Sequence, residues 1–141
     1  MSESSGEDHG GIVLVAAAII ARDGRYLIAR RKPDTHLGGF WEFPGGKCEA
    51  GESLEDCLKR ELREELDAGI AAAVPFRTVR HTYPEKTVEL HFFRCSLESG
   101  EVRARDCAEF RWIDPKDFRD YRFPPADEDI LNALRETQSG P

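Results

Sequence analysis

Glu61, Glu64 and Glu65 stand at i, i+3 and i+4, a spacing that places three carboxylates on one face of a helix within a single turn. Like charges so placed repel, so such a face is either spread into solvent or gathered around a cation. Pro44-Gly45-Gly46 lies upstream, breaks any helix and leaves backbone carbonyls free. Carboxylates beside such oxygens make the hard-oxygen surroundings that Mg²⁺ or Mn²⁺ prefers, which favours the cation over the solvated face. Arg30 and Arg31 close a predicted strand and are candidates to meet an anionic ligand. Strand alternation sends their side chains to opposite faces, so only one can turn toward the site.

The elements that must position these groups follow from periodicity. Ser53 can cap a helix with Asp56 three residues on, and Leu54, Cys57, Leu58, Leu62 and Leu66 recur at helical spacing, which predicts a helix from Ser53 to Leu66. Ile12 to Ala21 reads as a buried strand, and Asp23-Gly24 before Tyr26-Leu27-Ile28-Ala29 is a hairpin signal that pairs it with a second. A short apolar stretch, Phe40 to Phe43, ends at the Pro-Gly-Gly breaker. Val74 to Tyr83 and Thr87 to Cys95, joined by Pro84-Glu85-Lys86, predict a long hairpin, and Ala108 to Ile113 a further strand. Pro124-Pro125 stops any earlier helix, and a terminal helix starting near Asp127 would bury Ile130, Leu131 and Leu134. Residues 1–11 read as a flexible acidic tail, 12–137 as one domain and 138–141 as a flexible end.

Composition narrows the function. The 141 residues carry 20 Lys+Arg against 27 Asp+Glu, a net charge of −7, and suit one domain with a real core. With no dense Lys/Arg block, such a chain is not expected to grip duplex nucleic acid, and an anionic ligand would need local cations or a bound metal. The run Ile12 to Ala21 is too short to span a bilayer, and the segment before it is acidic where a secretory signal would be basic, so a cytoplasmic protein without a membrane segment is expected. Cys48, Cys57, Cys95 and Cys107 form no Cys-x-x-Cys pair and no zinc-finger spacing, which reads as reduced thiols.

Gly46, five residues, Glu52, seven residues, then Arg60-Glu61-Leu62-Arg63-Glu64-Glu65 resembles the signature of the Nudix hydrolases. Trp41-Glu42-Phe43-Pro44-Gly45-Gly46-Lys47 and Phe123-Pro124-Pro125-Ala126 extend the resemblance to the MutT branch, which sanitises the nucleotide pool. The family usually has Gly after the signature helix; here Asp67 stands there, with Gly69 two positions later, and a shifted helix end is expected. The resemblance implies an α/β Nudix fold, a mixed and largely antiparallel sheet between helices. It also implies a Mg²⁺-dependent pyrophosphohydrolase, with Mn²⁺ as substitute, releasing a nucleoside monophosphate and pyrophosphate from a nucleoside triphosphate of the 8-oxo-dGTP or dGTP class. The alternatives are a CTP or 5-methyl-dCTP pyrophosphohydrolase and a non-catalytic nucleotide sensor, the latter disfavoured because Glu52, Glu61, Glu64 and Glu65 are all kept. A monomer or homodimer is expected.

The same resemblance assigns roles. Glu61, Glu64 and Glu65, the carbonyl of Gly45 and the distal Glu109 would hold divalent cations, with Glu61 as first choice of base. Arg60 and Glu52 would pair with each other or with those carboxylates and orient them. Arg31 and His36 would meet the phosphates. Asp127 falls where 8-oxo-dGTP enzymes carry Asn and enzymes of the CTP class carry Asp. An ionised Asp only accepts hydrogen bonds, whereas Asn also donates; a plain helix N-cap is the competing reading of Asp127.

Overall fold

Ile12–Arg22, the first strand (β1), organises the sheet, because three other strands pair along it. In this computed structural model residues 11–139 are described; all but the last residue of the expected acidic tail lies outside them, as do Gly140 and Pro141. The remaining strands are β2 (Arg25–Arg30), β3 (Trp41–Glu42), β4 (Gly45–Lys47), β5 (Ile70–Thr82), β6 (Thr87–Leu97) and β7 (Glu109–Ile113), with helices α1 (Leu54–Leu66) and α2 (Glu128–Ser139). Spatial order is β3-β2-β1-β6-β5, with β4 also on β1 and β7 on β2. Among the described residues only β1 and β6 run parallel, in register from Ile12 against Thr87 to Ile20 against Cys95. The sheet is therefore mixed and largely antiparallel, as the family resemblance implies.

Alternation along β1 feeds two cores. Ala16, Ala18 and Ile20 face one, which α1 covers with Cys57, Leu58, Leu62 and Leu66. Ala17 and Ile19 face the other, closed by Ile130, Leu131 and Leu134 of α2 and by Phe43, Phe92 and Phe118. Complete burial of each leucine contributes roughly 2 kcal/mol, so α1 is fixed by packing, not by its acidic exposed face. Ser53 caps it as expected, its Oγ accepting from the Asp56 amide at 3.0 Å. α2 begins at Glu128 and runs on through Ser139, past the boundary expected at Thr137.

The expected end of α1 and start of β5 are corrected. The helix end is not shifted: α1 stops at Leu66 and Asp67 itself takes the left-handed conformation (φ 52°, ψ 39°) that glycine supplies elsewhere, its amide donating to the carbonyls of Arg63 and Leu62. No helix runs through the Pro-Gly-Gly breaker, as expected, and Gly45–Lys47 pairs with β1 at Ala17, Ala16 and Val15. Gly45 is required there, because its φ is 154° and a Cβ would overlap the Ala16 carbonyl. β5 also starts earlier than Val74, at Ile70, with irregular register at Ala72 and Arg77.

Candidate active site

A cleft of about 480 Å³, within the range of small-molecule sites, opens where the β4 loop, α1, the segment after β2 and the start of α2 meet. Glu61 and Glu65 of α1 line it with Gly45 and Gly46. Gly46 has no room for a side chain, because a Cβ would collide with the carboxylate of Glu61. The Gly45 amide donates to Glu65 Oε1 at 3.3 Å. The signature glycines thus let the backbone lie directly against two catalytic-type acids.

Those acids are held by one arginine. Arg60 Nε and Nη2 donate to Glu52 at 2.8 and 3.0 Å, Nη1 to Glu61 at 2.9 Å, and Nη2 to the Lys47 carbonyl at 2.9 Å. A guanidinium fork shared in this way fixes α1 against the β4 loop and aims Glu61 into the cleft. The expected Arg60–Glu52 pair is present. Glu64 is drawn only loosely to Arg60, at 3.4 Å, and its side chain is 54% exposed, so of the three helix acids two enter the cleft and one stays at its edge.

Electrostatics distinguish the acids. Burial, then Glu42, then Glu61 push the Glu65 carboxyl far above the usual range, and burial also raises Glu61 against the opposing pull of Arg60. Glu61 and Glu65 sit near enough that each bears on the other's ionisation, and a proton or a cation shared between them would relieve the pair. Burial raises Glu42 as well, only partly offset by Arg31, whose Nη1 meets it at 3.1 Å.

Arg31 and Arg30 part as alternation predicts. Arg31 reaches the cleft, its Nε donating to the His36 carbonyl at 2.6 Å, and His36 lines the same space. Arg30 turns to the other face, over Trp41, and meets Glu109 at 3.2 Å. Glu109, expected among the metal ligands, is placed elsewhere than the other acids. It pairs in register with Arg30 across β2 and β7, shares Arg30's face and also binds Arg111 at 3.2 Å, so its carboxylate does not join the cleft. The acid that the β6–β7 segment does bring there is Asp106, paired with Lys32 Nζ at 2.5 Å.

Asp127 is 4% exposed and lines the cleft; no described residue donates to its carboxylate, so it acts as no N-cap. Burial, then Glu42, pushes its carboxyl up to about 8. Val15, Ala17, Leu90 and Phe92 form an apolar wall in the same cleft. Sequence reading missed Glu42, Asp106 and Lys32. Glu42 had a signal, a lone charge inside the apolar Phe40 to Phe43; Asp106 and Lys32 are visible only once register is known.

A NUDIX domain family model matches residues 15–133, and the chain belongs to that family. It is 37% identical over 125 residues, 87% of this chain and 91% of the relative, to the CTP pyrophosphohydrolase of Escherichia coli (strain K12). It is 40% identical over 89 residues, 63% of this chain and 80% of the relative, to the 8-oxo-dGTP diphosphatase of Proteus vulgaris. Among solved structures it resembles the solution structure of the E. coli ORF135 protein, with TM-score 0.77, 32% identity and 91% of each chain covered. The MutT protein from Methanosarcina mazei Go1, at 22% identity and TM-score 0.79 over 92% of this chain and 96% of that one, shares the fold. The chain is a Nudix hydrolase, a class that works with divalent metal ions. The residues fit such an ion through their chemistry: the neighbouring carboxyls of Glu61 and Glu65 beside glycine backbone form an all-oxygen donor set. Among the described residues no three His, Cys, Asp or Glu side chains already converge on one point.

Proposed function

We propose that the chain is a Mg²⁺-dependent nucleoside triphosphate pyrophosphohydrolase, yielding a nucleoside monophosphate and pyrophosphate. The observation that carries this reading is the convergence of Glu61 and Glu65 on a cleft that also presents Arg31, Lys32 and an apolar wall. Glu61 and Glu65, with Glu64 at the edge and the backbone of Gly45, would hold the ion. When bound, a divalent ion supplies positive charge against the phosphates and makes water more acidic. Arg31 and Lys32 offset phosphate charge that a protein of net charge −7 would otherwise repel. His36 contributes its backbone to fixing Arg31 and its side chain to the cleft. Glu61, kept in place by Arg60, accepts the proton of the attacking water, while Glu52 holds Arg60.

The base rests against Val15, Ala17, Leu90 and Phe92, with Asp127 reading its edge. A carboxyl pushed up to about 8 is largely protonated at neutral pH, so it donates as well as accepts and imitates the Asn of 8-oxo-dGTP enzymes. This favours the 8-oxo-dGTP or dGTP class. The cytosine reading has its own support in the relative named for CTP, since a neutral acid also matches one acceptor and one donor on that base. We place the enzyme in the cytoplasm as a monomer or homodimer. A panel of canonical and modified triphosphates, dinucleoside polyphosphates and nucleotide sugars with Mg²⁺ tests the reading. Pyrophosphate release from triphosphates is expected, with 8-oxo-dGTP or dGTP foremost; release only from the other classes would overturn it.

A further inference from the structure

Position 67 is where this chain departs from the family's glycine, and the departure is unfavourable twice over. Asp67 holds a left-handed backbone (φ 52°) that glycine adopts at least cost and most other residues avoid, and its charge lies at the negative end of the α1 dipole. Its carboxylate is compensated by three cations. Arg63 Nη1 and Arg105 Nη1 approach Oδ1 at 3.6 and 3.8 Å, and Arg103 Nε approaches Oδ2 at 3.9 Å. Arg103 and Arg105 belong to the segment between β6 and β7, which lies against the last carbonyls of α1. The Arg103 amide donates to Leu66 at 2.8 Å, and the amides of Arg105 and Asp106 to Glu65 at 2.9 and 3.0 Å. Asp106 is the next residue after Arg105, and it enters the cleft bound to Lys32.

We propose that Asp67 is a positioning residue: by gathering Arg103 and Arg105 onto the end of α1 it docks the β6–β7 segment and so holds Asp106 and Lys32 at the cleft. Its kinetic part rests on the hydrolase reading above; its structural part does not. The three pairs are exposed and longer than hydrogen bonds, so the clip is electrostatic and yields to salt.

Asp67→Gly and Asp67→Asn in the full chain separate charge from conformation, because Gly and Asn both suit the left-handed backbone and neither carries the charge. Amide hydrogen exchange of Arg103, Arg105 and Asp106 by NMR, the thermal midpoint, and kcat and KM on the best triphosphate are measured at low salt and at about 0.5 M NaCl. Both variants are expected to keep or raise the thermal midpoint, while the three amides exchange about fivefold faster and kcat falls by a similar factor with KM little changed. Wild type in high salt should approach the variants, which should not respond further. Wild-type exchange in both variants would overturn the docking role, and faster exchange with unchanged kcat would overturn the link to the cleft. A thermal midpoint that falls with exchange rising throughout the protein would make Asp67 merely structural. A wild-type protein that hydrolyses no nucleotide would instead overturn the proposed function, with exchange still deciding the docking.

Discussion

Replacing Asp127 by Asn should remove a pH-dependent loss of stability. Asp127 is 4% exposed, and burial with the nearby Glu42 pushes its carboxyl up to about 8. In the unfolded chain the same group titrates near 3.9. Between those values the folded protein binds the extra proton, so stability is full below about pH 4 and is lost as pH rises toward 8. Each pH unit in that window costs up to about 1.4 kcal/mol, which makes roughly 4 kcal/mol at pH 7 an upper bound, because backbone relaxation and water entry soften burial. Against the 5 to 15 kcal/mol typical of a domain, that is a large share. Asn has the same shape and no charge, and its introduction also relieves Glu42. Urea unfolding of both proteins at pH 5, 6, 7 and 8, without divalent ions, reads the difference directly. The advantage of the Asn protein should widen steadily with pH and level off above 8. A difference that stays constant over this range would show that Asp127 ionises normally in the folded state, and the account of its role as a neutral acid would fail with it.

Other outcomes follow from the same geometry. Glu65→Gln should lower turnover by orders of magnitude while stability holds or rises, since a buried acid beside Glu61 and Glu42 is neutralised; unchanged turnover in a folded protein would remove Glu65 from the metal site. Arg31→Ala should impair kcat/KM far more than Arg30→Ala, because only Arg31 faces the cleft, and equal losses would refute the alternation argument. Glu109→Gln, disrupting only exposed pairs with Arg30 and Arg111, should change turnover by less than about threefold, and a larger loss would return it to the site. In the 8-oxo-dGTP, dGTP, CTP and 5-methyl-dCTP comparison, kcat/KM ratios of the Asp127 protein should drift with pH between 6 and 9 while those of Asp127→Asn stay level; two level profiles would end its role in base choice.

What the sequence allowed depended on how local each interaction is. The helix Leu54–Leu66 was readable because its cap, its apolar stripe and its acids are each set by residues three or four apart, and Arg60 with Glu52 followed from the family resemblance. Arg30 and Arg31 were separable because alternation needs only neighbouring residues. β4 was not readable, since Gly45-Gly46-Lys47 has no strand preference and is extended only because the backbone of Ala16 and Ala17 pairs with it. Asp106 and Glu109 are three residues apart, and nothing within that segment says which one faces the cleft; the pairing of Glu109 with Arg30 decides it. Asp127 could be read as cap or as base reader, because its burial in the cleft is a tertiary property that its neighbours in sequence do not reveal.

β1 divides the interior so that one side seats the helix carrying Glu61 and Glu65 and the other the apolar wall and helix start proposed to meet the base. Mutational drift can therefore reshape Leu90, Phe92 or Asp127 without disturbing how Leu58 and Leu62 seat α1. A partition one strand thick gives such a lineage a route to new substrates with its hydrolytic apparatus inherited intact. It also makes the alanines of β1 sensitive to enlargement, because enlarging Ala16 or Ala18 presses on α1, and enlarging Ala17 narrows the cleft.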